Sequence, residues 1–149
     1  MERYFPDRQY ETLCALCDYL IPACSECEGA LDVGVPAFID RMTKDNVEYQ
    51  CTLGGALLWL DCFCVEHYSL AFLGLTPSQQ TDVLDLLAYR SEATTNPLLS
   101  VGTRFFSLLR RVTVDGFATS KAALSYFGYV GNTRCVSFLG CPEVTDAML

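Results

Sequence analysis

Apolar residues recur along this chain with the 3.6-residue period of amphipathic helices, and no segment alternates apolar and polar long enough to predict a strand. After Phe5-Pro6-Asp7, which supplies a proline and a capping acid, Leu13, Leu16, Cys17 and Leu20 fall at i, i+3, i+4 and i+7. They predict a first helix reaching about residue 20, with Pro22 ending it. Residues 23–34 read as a loop. Pro36 suits a first helical turn, and Val35, Phe38, Ile39 and Met42 repeat the spacing in a short second helix. A third helix is expected over 47–68, its core stripe running through Leu53, Ala56, Leu57, Leu60, Cys64 and Tyr68. Gly54-Gly55 near its start fits there only if a neighbouring helix crosses closely. Thr76-Pro77-Ser78-Gln79 is the clearest start signal: Thr76 can cap, Pro77 takes the first turn and Gln79 can return the capping-box bond. That helix continues through Val83, Leu86, Leu87 and Arg90 to a polar loop at 91–97. A fifth, over about 100–113, is expected to bury Phe105, Leu108, Leu109 and Val112, to turn Arg110 and Arg111 outward and to end at Asp115-Gly116.

The pattern then changes. From Asp115 to Glu143 the chain sets Phe117, Tyr126, Phe127, Tyr129 and Phe138 among Gly116, Gly128, Gly131 and Gly140. Glycines every few residues argue against one long helix, so an irregular aromatic and glycine-rich C-terminal arm is expected over about 115–149. Large rings on such a backbone need a surface to lie on, either the chain's own helices or a partner's. The expected architecture is all-α: one domain over 1–149, a bundle of five or six helices carrying this arm.

Composition narrows the function classes. The chain of 149 residues is 51% hydrophobic, high for a domain of this size, so part of its apolar surface is expected to be covered by another protein. The longest apolar run, 53–65, is interrupted by Asp61 and too short to span a bilayer; a buried helix is expected there, and no direct membrane span. The start, MERYFPDRQYE, lacks a basic region followed by an apolar one, so no export signal is expected within this chain; either it stays in the cytoplasm or the signal has been removed. The net charge of −8 is uneven: residues 1–50 carry ten acids and four bases, residues 100–149 three acids and five bases. With two lysines in all, no nucleic-acid partner is expected.

Nine cysteines raise the question of metal or redox chemistry. Cys14-x2-Cys17 and Cys24-x2-Cys27 pair as in a zinc site, but only six residues separate the pairs, where about twelve or more are usual. Cys17 also lies on the apolar face of a helix. Buried reduced thiols are the plainer expectation, and a helical metal-binding or thiol-redox protein built on these four cysteines is the alternative. His67, the single histidine, is three residues from Cys64. A core or interface histidine is expected there rather than a catalytic base, since no third group is placed to orient a Cys-His pair. No G-x-G-x-x-G or G-x-x-x-x-G-K-[ST] pattern is present, so no cofactor is expected in this chain.

Four islands carry a family resemblance: LCDYLIP at 16–22, GALDVGVPAFID at 29–40, FFSLLRRVT at 105–113, and DGFATS at 115–120 with GYVGN at 128–132 and GCP at 140–142. In this order the sequence resembles the small third subunit of sugar and sugar-acid dehydrogenases, gluconate 2-dehydrogenase subunit 3. The resemblance implies a non-catalytic subunit that binds a large FAD-dependent flavoprotein of the glucose-methanol-choline type. In such complexes electrons pass to a cytochrome c or a quinone, with haem or an iron–sulfur cluster elsewhere in the complex. It also implies a periplasmic setting reached through a twin-arginine signal, which this chain does not show. The partner interface is expected on Phe105, Phe106, Arg110, Arg111, Gly116, Phe117, Tyr126, Tyr129, Gly131 and Asn132. Glycines there would admit close backbone approach, and the rings would serve as anchors.

Overall fold

A computed structural model describes residues 3–88, 99–129 and 131. Within them the chain is helical, and none of the described residues lies in a strand. Helix α1 (Asp7–Leu20) buries Leu13, Leu16 and Cys17, as the periodicity predicts. Asp7 supplies no capping bond; it sits in the first turn and pairs with Arg3 at 3.1 Å. Helix α2 (Val35–Lys44) starts behind Gly34, whose φ of 76° is a conformation that favours glycine. Val35 and Ile39 face inward, but Met42 is exposed, and the inward polar residues are Thr43 and Asp40, the latter with its carboxylate turned to the N-terminal segment. Its carboxylate accepts the backbone N–H groups of Tyr4 (3.1 Å) and Phe5 (2.9 Å), which fastens the N-terminal segment against α2.

The expected helix over 47–68 is one helical run in three pieces: α3 (Val47–Tyr49), a π turn (Gln50–Gly54) and α4 (Gly55–Tyr68). Asn46 caps it by accepting from Glu48 and Tyr49 N–H. Leu53, Ala56, Leu57, Leu60 and Cys64 are core. The expected buried helix is buried along this stripe alone, because Leu58, Cys62 and Val65 lie exposed on the opposite face. Asp61 does more than interrupt the run: it accepts from Phe72 N–H at 3.1 Å and pairs with Arg8 at 3.4 Å, tying α4 to α1 and to the 3₁₀ turn Phe72–Gly74.

Helix α5 (Pro77–Ala88) begins with both bonds of the predicted capping box, Thr76 N–H to Gln79 Oε1 at 3.0 Å and Gln79 N–H to Thr76 Oγ1 at 3.4 Å. Arg90 and the loop at 91–97 lie outside the described residues. The bundle is built around α6 (Leu99–Ala118), which packs against α1, α2, α4 and α5. It buries Leu99, Phe105, Phe106, Leu109 and Val112. The expected stop at Asp115-Gly116 is therefore corrected. The helix runs through Gly116 because α2 crosses there: a Cβ on Gly116 would sit 2.7 Å from Phe38 Cδ1. A short helix α7 (Lys121–Tyr126) follows, capped by Ser120, whose hydroxyl accepts from Ala123 N–H. The front of the expected irregular arm is thus helical, and residues 132–149 lie outside the described residues.

Candidate functional site

Residues expected at a partner surface divide by exposure into two sets. Phe105, Phe106 and Gly116 belong to the chain's own core, and Phe117 is partly buried against it. Of the expected residues, Arg110, Arg111, Tyr126, Tyr129 and Gly131 are exposed. Asn132 lies outside the described residues. Phe127 joins the exposed set at 61% relative exposure, edge-on to Tyr126 with ring centroids 5.6 Å apart.

The backbone shows why these rings stand outward. At the end of α7, Tyr129 N–H donates to Leu124 C=O (2.9 Å) and Gly128 N–H to Ser125 C=O (3.1 Å), the paired bonds of a Schellman cap. Gly128 takes the left-handed position at φ 69°. Gly131 follows at φ 85°. Both glycines hold positive φ in open space, and Tyr126, Phe127 and Tyr129 are all exposed beside them.

On the other side of α6 a cleft of ≈ 560 Å³ opens toward α3 and the π turn. Arg104, Ser107, Leu108 and Arg111 line one wall at i, i+3, i+4 and i+7, with Thr103 beside them; Glu48 and Thr52 line the other. The Thr103 hydroxyl donates to Leu99 C=O at 2.9 Å. Arg104, Glu48 and Thr52 were not among the expected site residues. The i, i+3, i+4, i+7 stripe from Arg104 to Arg111 is visible in the sequence, but its polar mixture reads as a solvated face until the π turn is placed opposite it.

The cysteine alternative finds no convergent site. Cys17 is fully buried, its Sγ 3.9 Å from Thr113 Oγ1, and burial pushes its thiol up to about 12. Cys64 is pushed up to about 11, by burial first and Asp61 second. Burial raises Cys14 as well. Cys24 and Cys27 lie in the loop before α2, where Cys24 N–H donates to Cys27 C=O at 2.9 Å. Raised thiols are weak nucleophiles and weak ligands. Among the described residues no three His, Cys, Asp or Glu side chains converge as metal ligands. His67 is exposed, against Phe63 at a centroid distance of 4.3 Å, which corrects the core half of the expected core or interface histidine. No helix among the described residues is long and apolar enough to cross a membrane.

With this geometry in place, comparison with known proteins is specific in one respect. The family model described as gluconate 2-dehydrogenase subunit 3 matches residues 7–133. No curated protein matches the chain, and no solved structure does.

Proposed function

The chain belongs to the gluconate 2-dehydrogenase subunit 3 family, and from that premise we propose that it is the non-catalytic small subunit of a flavin-dependent dehydrogenase. It binds and stabilises a large FAD-dependent subunit of the glucose-methanol-choline type that oxidises a sugar, a sugar acid or a glycoside, and it accompanies that subunit to its compartment. FAD belongs to the partner, and electrons leave through a cytochrome c or another carrier in the complex.

The observation that carries this reading is the aromatic tip of Tyr126, Phe127 and Tyr129, each more than half exposed on a glycine-closed turn. Aromatic side chains lose little entropy on docking for the area they bury, which makes them typical interface anchors. Tyr126, Phe127 and Tyr129 are absent from the chain's own hydrophobic core, and their rings are available to a partner's surface. Co-expression with a large FAD-dependent dehydrogenase subunit of this type tests the proposal. Wild type is expected to co-purify with a yellow partner, and Tyr126→Ser/Phe127→Ser to lower recovery about tenfold or more while remaining helical. Undiminished recovery of the double variant would remove the tip as the main contact.

A further inference from the structure

The cleft beside α6 carries charge of a kind scarce in this chain. Net charge is −8, yet Arg104, Arg110 and Arg111 are all exposed on one helix. Among the described residues the ion pairs are Arg3 with Asp7 and Arg8 with Asp61, and neither involves these three arginines. An exposed guanidinium without a carboxylate, beside a hollow lined by hydroxyls, has its planar donor fork open to a bidentate acceptor. Arg104 and Arg111 are seven residues apart, about 10 Å along the helix axis. Two acidic side chains on one polypeptide match that spacing.

The facing wall points the same way. It is a π turn, a feature that lodges an extra residue in a helix and recurs at functional sites, and here it brings Thr52 to the cleft. Glu48, on that same wall, disfavours a wholly anionic occupant and suits a backbone amide or a basic side chain.

We infer that the cleft between the π turn and α6 is a docking groove for an acidic segment of the dehydrogenase partner, two of whose carboxylates engage Arg104 and Arg111 while Glu48 takes a donor from the same segment. The inference rests on the subunit reading above. It makes docking directional, because an acidic segment is repelled by most of this surface and attracted here.

The test uses the full chain with the same flavoprotein subunit. Binding is measured at about 50 and about 300 mM salt, conditions that differ strongly in screening. Wild type is compared with Arg104→Gln/Arg111→Gln and with Arg3→Gln/Arg41→Gln, which loses the same charge outside the proposed face. The cleft variant is expected to bind about tenfold or more weakly at low salt and to lose most of the salt dependence, with its thermal midpoint unchanged. The control variant is expected to stay within about twofold of wild type. Should the glutamine pair lower the thermal midpoint, Arg104→Lys/Arg111→Lys is expected to restore it, with the salt dependence regained and the affinity only partly so. Wild-type affinity and salt dependence in the cleft variant would overturn the groove and leave the subunit reading standing. Failure of the wild-type chain to bind would overturn the subunit reading, and the groove with it. Citrate or inorganic phosphate bound by the free chain through these arginines, with complex formation unaffected by their loss, would assign the cleft to a small anion and overturn the peptide groove.

Discussion

At the scale of single residues, two glycines hold the crossings that α6 makes. A Cβ on Gly102 would lie 2.4 Å from Trp59 Cη2 and 2.6 Å from Leu87 Cδ2; on Gly116 it would lie 2.7 Å from Phe38 Cδ1. The Cβ on Gly102 would meet two side chains at once, fully buried Leu87 and partly buried Trp59, whereas on Gly116 it would meet one partly buried ring, Phe38. Gly102→Ala is therefore expected to cost about 1–3 kcal/mol, and Gly116→Ala less. Urea midpoints rank the two, and equal or reversed costs would contradict this packing. The buried thiols give a second residue-level expectation. Burial raises Cys17 to about 12 and Cys64 to about 11. In the folded chain both stay neutral where the unfolded chain, with ordinary thiols near 9, has begun to lose its protons. The stability this contributes is complete below about pH 9 and is lost as pH rises from there toward 11–12. Urea midpoints are expected to fall from pH 8.5 to pH 10.5, and to fall less steeply in Cys17→Ala; a slope unchanged by that substitution would contradict the assignment. What a residue does was only partly legible. Phe105 reads equally well as core or interface in sequence, and burial alone decides it. Asp40 gives no local signal of its role, because its partners, the N–H groups of Tyr4 and Phe5, lie 36 and 35 positions away in the chain.

At the scale of elements, local chemistry was readable wherever it is closed within a few residues. The capping box of Thr76 and Gln79 is local, and it forms as predicted. The stripe of Leu13, Leu16 and Cys17 needs only a helix and an inside. The stop predicted at Asp115-Gly116 failed for the opposite reason. A glycine costs about 1 kcal/mol in a helix by itself, but packing of Phe38 against it over-rides that local preference. The cap of α7 carries a prediction of its own. A Cβ on Gly128 would meet nothing within 4 Å, so only its φ of 69° opposes substitution. Gly128→Ala is expected to cost about 1–2 kcal/mol of local stability, the penalty for an L-residue held left-handed. It is further expected to weaken partner recovery, because the turn that presents Tyr129 is loosened. Amide exchange at Gly128 and Tyr129 reads the first effect directly, and exchange as slow as in wild type would contradict it.

At the scale of the molecule, a bundle centred on α6 leaves three features unspent: the aromatic tip beyond α7, the arginine cleft beside the π turn, and the exposed Leu58, Cys62 and Val65 face of α4. Two of the three belong to the segment from α6 to Gly131, the mildly basic stretch of an otherwise acidic chain. The apolar excess in the composition announced that some surface is surplus, but not which. A helix that is apolar all round, like α4, gives no direction to its burial until its neighbours are placed. The family relationship implies association with a dehydrogenase complex, and the face proposed for it lies on the segment from α6 to Gly131.

Amide hydrogen exchange of this chain, free and in complex with the flavoprotein subunit, tests that face most directly. Docking through the tip and the cleft predicts added protection over residues 104–131 and 47–54, with α1 and α2 unchanged. Protection confined to α4, or to α1 and α2, would contradict it.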